Sequence, residues 1–111
     1  MIVSPWLIAF ILTQVIEIPI YRWGFKISLS DAGLASCLTH PLVWFVIPLL
    51  IPLSNYWTFF AVAETFAIVA EALWLFLRGH KNSLMASFVA NTASASFGLI
   101  KWWVISKITA Q

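Results

Sequence analysis

The chain has 111 residues, of which 62% are hydrophobic and only 9% are charged. Soluble domains usually carry charge on about a quarter of their residues. This composition therefore excludes an ordinary soluble domain and predicts that lipid covers most of the surface. The formal net charge is only +2 and the basic residues are scattered along the chain, so we expect no nucleic acid partner.

Four apolar stretches are each close to the roughly 20 residues that a helix needs to cross the hydrocarbon core. They run over about residues 2–21, 31–51, 56–78 and 84–105. The sequence predicts a single all-α transmembrane domain, an integral membrane four-helix bundle with kinked helices one and two. Ser30 or Asp31 is the expected N-cap of helix two. Pro41 should kink helix two, because proline removes one backbone hydrogen bond.

The basic residues predict how the bundle is oriented in the membrane. Four of them follow helices one and three, namely Arg22, Lys26, Arg78 and Lys81. Only Lys101 and Lys107 lie near the C-terminus. Since cytoplasmic loops are enriched in lysine and arginine, we expect both termini on the non-cytoplasmic side of a bacterial inner membrane.

Three acidic side chains fall inside the predicted spans: Glu17, Glu64 and Glu71. Each costs roughly 2.5 to 3.5 kcal/mol on an insertion scale if it faces lipid in its ionised form. We therefore expect all three to point into the bundle. Residues three and four apart share a helix face, and this rule predicts one polar face per helix. Those faces contain Thr13, Gln14 and Glu17; Thr39 and His40; Glu64 and Glu71; and Ser87, Asn91, Ser94 and Gly98.

Depth in the membrane divides these residues into two groups. With a rise of 1.5 Å per residue, Glu17, His40, Glu71 and Asn91 all lie roughly 8 to 14 Å from the cytoplasmic boundary. Glu64 lies about 10 Å further along its helix, at a second level. The sequence thus predicts a buried polar or ion-binding cluster. Its residues are Glu17, His40, Glu71 and Asn91, with Glu64 and Gln14 as further members. The small residues Ser87, Ser94 and Gly98 are assigned to close helix packing.

Several uses of this cluster are compatible with the sequence. Glu17, His40 and Glu71 offer three ligands for a divalent metal such as Zn, Mn or Fe. A histidine beside carboxyl groups is also a minimal proton relay. As a third use, His40 is a candidate axial ligand for a porphyrin or chlorin, with Trp44 and Phe45 beside it. The fourth alternative is that these groups only hold the helices together.

Four short motifs carry a resemblance to known proteins. They are E-I-P at 17–19, T-H-P-L-V-W-F at 39–45, the glutamates at 64 and 71, and N-x-x-S at 91–94. With these motifs the chain resembles a group of small bacterial four-helix integral membrane proteins. A looser resemblance is to the CAAX-type intramembrane proteases, which place Glu, His and Asn on membrane helices. The sequence departs from that family because it lacks the adjacent Glu-Glu pair with a following Arg.

These features lead to one preferred function and three alternatives. A chain this short is most compatible with an accessory or assembly subunit of a membrane complex, or with a homo-oligomer. Its partners are then lipid and other membrane subunits or a second copy. The alternatives are a proton or cation transporter using Glu17, His40 and Glu71, a metal-dependent intramembrane hydrolase, and a pigment- or haem-binding subunit through His40. We favour a non-catalytic role over a catalytic one.

Overall fold

The computed structural model describes residues 5–51 and 55–109, and within them the chain forms helices and no strand. Four helices are long and apolar enough to cross a membrane. Their spans are Leu7–Gly24, Leu29–Leu50, Tyr56–Leu77 and Ser83–Thr109. The predicted all-α membrane bundle is therefore confirmed. The start of the first predicted span and the connection between helices two and three lie partly outside the described residues.

Helices one and two both change geometry directly after a proline. Helix one is α-helical over Pro5–Pro19 and π-helical over Ile20–Gly24. Helix two is α-helical over Leu29–Pro41, π-helical over Leu42–Val46 and α-helical again over Ile47–Leu50. Proline lacks the backbone N–H and clashes with the carbonyl four residues back, and helices commonly depart from regular α geometry beside it. These are the two helices in which kinks were expected.

The start of helix two differs from the sequence prediction. The N-cap is Ser28, whose Oγ accepts a hydrogen bond from the Asp31 backbone N–H at 3.3 Å, so the assignment to Ser30 or Asp31 was wrong. The connector is tighter than expected, because the Ile27 N–H donates to the Tyr21 carbonyl at 2.9 Å. Helix two can therefore begin earlier, and the Asp31 carboxylate is left to contact another part of the bundle.

Helix three ends in a glycine cap that brings the next connector back over the bundle. Gly79 has a φ of 90°, in the left-handed region that favours glycine. The Gly79 N–H donates to the Phe76 carbonyl at 3.0 Å, and the His80 N–H donates to the Leu75 carbonyl at 3.0 Å. This pair of bonds is a Schellman cap. It turns Arg78 and His80 toward the start of helix two.

The two ends of the bundle are packed differently. At the end that contains the one–two and three–four connectors, the core consists of large side chains and alanines: Tyr21, Ile27, Leu75, Ala32, Ala35, Ala86 and Ala90. Alanines allow helix backbones to approach closely in membranes. Toward the opposite end the helices border an open cavity of about 460 Å³ and another of about 320 Å³. The polar site lies between this packed core and the cavities.

Candidate functional site

The first carboxyl of the site belongs to Glu17, in the second half of helix one. Its side chain is 1% exposed. Oε1 accepts a hydrogen bond from the Ser36 hydroxyl at 2.6 Å, and Oε2 accepts one from the Ser94 hydroxyl at 2.6 Å. One carboxyl group thereby connects helices one, two and four.

The second carboxyl belongs to Glu71 on helix three and is equally buried. Its Oε1 accepts a hydrogen bond from the Tyr21 hydroxyl at 2.7 Å, and its Oε2 accepts one from the Thr39 hydroxyl at 2.7 Å. Glu71 thus connects helix three to helices one and two. Together, the two carboxyls accept hydrogen bonds from side chains on helices one, two and four.

Both carboxyls line one polar cavity of about 180 Å³. His40 and Asn91 line the same cavity, so the structure brings together the four residues that the sequence placed at one depth. Glu64 also lines it, and in addition borders the larger 460 Å³ cavity. It therefore lies where the two cavities adjoin instead of in a separate polar level.

Gln14 lies beside the cluster but does not line this cavity. Its Nε2 is buried and has no hydrogen-bond partner among the described residues. The sequence rule of three- and four-residue spacing placed Gln14 on the same face as Glu17. Of the neighbouring residues Thr13 and Gln14, only Thr13 lines the cavity.

His40 is held between aromatic rings at the wall of the cavity. Its ring centroid lies 5.2 Å from that of Phe10 and 6.1 Å from that of Trp44. The cavity it lines, at about 180 Å³, is smaller than the roughly 300 to 1,000 Å³ of typical small-molecule sites. Axial ligation of a porphyrin or chlorin by His40 stays a prediction, because this cavity also adjoins the larger one at Trp44 and Glu64.

The predicted metal set of Glu17, His40 and Glu71 does not form a metal cage. In residues 5–51 and 55–109, no group of three or more His, Cys, Asp or Glu side chains is arranged to hold a metal ion. Each carboxylate oxygen of Glu17 and Glu71 instead accepts a bond from a hydroxyl group.

The three residues assigned to helix packing have different surroundings. Ser87 Oγ donates to the Ile68 carbonyl at 2.7 Å and so joins helix four to helix three. Ser94 is more than a packing residue, since its hydroxyl binds Glu17. Around Gly98, no heavy atom of the described chain outside its immediate neighbours lies within 4 Å of an added Cβ. Gly98 therefore makes no close contact with another helix of this chain, and its role in packing stays a prediction.

A second polar cluster at the packed end joins the first turn of helix two to the end of helix three and the connector that follows it. Asp31 Oδ1 accepts a bond from Arg78 Nε at 2.9 Å, and Asp31 Oδ2 lies 2.9 Å from His80 Nε2. Trp74 Nε1 donates to the Asp31 carbonyl at 3.1 Å, and the Arg78 guanidinium lies 5.8 Å from the centre of the Trp74 ring. This cluster fixes the start of helix two against the end of helix three.

Sequence reasoning missed two members of the main site, Tyr21 and Ser36. Both were detectable from spacing. Tyr21 follows Glu17 by four positions, and Ser36 precedes His40 by four, so each extends a polar face already identified. Tyr21 was taken for the boundary of helix one, although the helix continues to Gly24.

The arrangement can bind a proton or a cation. Glu17 and Glu71 line one cavity in the interior of the bundle. Two ionised carboxylates in a low-dielectric interior repel each other unless a proton or cation compensates one of them. Comparisons with protein-family models, with curated proteins and with solved structures each find no match.

Proposed function

We propose that this chain moves protons, or a small cation, across the membrane by way of Glu17 and Glu71. The observation that carries the proposal is that two buried carboxyls from different spans line the same polar cavity. Ionisable side chains inside membrane spans are costly and typically mark ion pathways or proton relays. A packing role alone needs hydroxyl and amide groups but does not need two acidic ones.

The hydrogen bonds around the carboxyls connect the binding of a proton at each carboxyl to the positions of the neighbouring helices. An ionised carboxylate only accepts hydrogen bonds, whereas a protonated one also donates. When Glu17 gains a proton, the hydroxyl of Ser36 or Ser94 can turn to accept it, which changes the hydrogen bond to helix two or to helix four. Proton binding at Glu71 acts in the same way on Tyr21 and Thr39.

The proposed orientation follows from the connectors. Arg22, Lys26, Arg78 and Lys81 lie on or beside the two connectors that the Asp31 cluster holds together at one end of the bundle. Since positively charged loops stay in the cytoplasm, we place this end there and both termini on the other side. Tyr21 then lies between Glu71 and the cytoplasmic end of the site.

Proton flux in proteoliposomes tests the proposal. Under an imposed pH gradient, Glu71→Gln should lower the initial rate to that of protein-free liposomes, and Glu71→Asp should restore part of it. Asp31→Asn is the matched control, because it makes the same chemical change outside the cavity and should keep at least about half of the rate. Equal rates in wild type and in a correctly folded Glu71→Gln variant would refute the function.

A second candidate function is supported by the exposed part of helix four. Trp102 and Trp103 are 68% and 56% exposed. Gly98, on the same helix, borders the 460 Å³ and 320 Å³ cavities, and an added Cβ there meets nothing within 4 Å. Small residues with free space around them allow another helix to approach closely. This surface favours a role as an assembly subunit or as a homo-oligomer, which is compatible with ion movement through each chain.

A further inference from the structure

The 460 Å³ cavity between helices two, three and four has an unusual combination of walls. Four aromatic side chains line it, Trp44, Tyr56, Phe59 and Phe60, together with the carboxyl group of Glu64. Its volume falls in the roughly 300 to 1,000 Å³ range of small-molecule sites. Tyr56 and Trp44 are 48% and 39% exposed, so the cavity is accessible from the outside of the bundle.

Glu64 has an incomplete set of partners in the wall between this cavity and that of Glu17 and Glu71. Its Oε1 is buried and has no hydrogen-bond partner among the residues that the structure describes. Glu17 and Glu71 differ in this respect, since both oxygens of each accept a hydroxyl bond. A quaternary ammonium group has no N–H to donate to this oxygen, but a positive charge in the cavity attracts a nearby carboxylate strongly in a low-dielectric interior.

The aromatic side chains lead along helix three to this carboxyl. Tyr56, Phe60 and Glu64 are spaced by four residues and so share one helix face. The Tyr56 and Phe60 rings lie 6.1 Å apart, centre to centre. Aromatic faces carry negative electrostatic potential and attract organic ammonium groups, which is how aromatic cages recognise quaternary amines.

We propose that this cavity binds a lipophilic organic monocation, such as a quaternary ammonium ion with an apolar substituent, through Glu64 and the surrounding rings. An acyl chain fits the apolar walls but leaves the carboxyl without a charge partner. The site goes beyond ion movement through Glu17 and Glu71, because neither of these residues lines this cavity and binding does not require flux. Trp44 and Glu64 form the wall that the two cavities share.

Calorimetric titration of the full chain in a nonionic detergent tests the site, with empty micelles as the blank. The probe is benzyltrimethylammonium, and the matched neutral probe is neopentylbenzene, in which carbon replaces the charged nitrogen. Wild type should bind the cation at one site per chain. Glu64→Gln should weaken the cation by about tenfold or more and change the neutral probe by less than about twofold.

Two further variants separate this site from the rest of the bundle. Phe60→Leu keeps an apolar wall but loses a ring face, so it should weaken the cation several-fold more than the neutral probe. Glu71→Gln, which should lose proton flux, should bind the cation within about threefold of wild type. Failure of flux and failure of cation binding are therefore distinguishable.

Three results would overturn the proposal. The first is wild-type protein that does not bind benzyltrimethylammonium above the micelle blank. The second is a Glu64→Gln variant that binds the cation as tightly as wild type does. The third is an equal loss of both probes in that variant, which would show that Glu64 maintains the shape of the cavity and does not supply charge.

Discussion

Replacing Tyr21 with phenylalanine removes one hydroxyl group from the interior and keeps the buried ring. Tyr21 is fully buried, and its hydroxyl donates to Glu71 Oε1 at 2.7 Å. After the substitution this oxygen loses its partner, while the other oxygen keeps the bond from Thr39. The variant therefore isolates a single hydrogen bond between helices one and three.

The expected cost follows from two opposing considerations. Leaving a buried acceptor without a partner costs about 1 to 3 kcal/mol in soluble proteins. Hydrogen bonds between membrane helices average only about 0.6 kcal/mol and reach about 1.7, because the unfolded chain in the membrane also finds partners. Since the acceptor here is a carboxyl oxygen with no exposure, we expect the free energy of unfolding to fall by about 1 kcal/mol.

This change is measured by unfolding the protein in mixed micelles with increasing sodium dodecyl sulfate. Circular dichroism follows the loss of helix. Tyr56→Phe is the matched control, because Tyr56 is about half exposed, and it should change the free energy by less than about 0.3 kcal/mol. In a double-mutant cycle, Tyr21→Phe should be non-additive with Glu71→Gln and additive with Ser94→Ala, which touches the other carboxyl. Additive effects of Tyr21→Phe and Glu71→Gln would refute the hydrogen bond as described.

Further changes test the ends and the surface of the bundle. Asp31→Asn should lower the free energy of unfolding by about 1 to 2 kcal/mol in the same micelles, because it weakens both bonds between the connectors; an unchanged value would contradict their role. If helix four mediates assembly, Gly98→Leu should reduce the particle mass in mild detergent and Gly33→Leu should not; equal masses would remove that function. In a cysteine-free background, Lys81→Cys should react with an impermeant maleimide only from the cytoplasmic side and Lys107→Cys only from the opposite side, and the reverse pattern would invert the proposed orientation.

Much of the main site follows from helix periodicity alone. The small number of charged residues in the sequence indicates that the helices lie in a bilayer. The spacing of polar residues by three and four positions then identifies the inward face of each helix. That reasoning is sufficient to place Glu17, His40, Glu71 and Asn91 around one cavity. The helix boundaries were the least accurate part of the prediction. Tyr21 was treated as the end of helix one, so its hydroxyl was not recognised as the hydrogen-bond donor to Glu71.

Contacts between connectors were beyond the reach of the sequence. The position of Asp31 depends on Ser28 acting as the cap, and that of His80 depends on the glycine turn after helix three. Neither local signal indicates that the two turns face each other. The open cavity beside Glu64 was equally unpredictable, since it depends on how far helices two, three and four diverge.

The central claim is that Glu17 and Glu71 act as one ion site, and flux in single and double variants tests it most directly. Groups that act as a unit show strongly non-additive effects. We predict that Glu17→Gln and Glu71→Gln each reduce proton or cation flux to the background rate, and that the double variant is no slower than either. A Glu17→Gln variant that keeps wild-type flux while Glu71→Gln loses it would contradict the shared site.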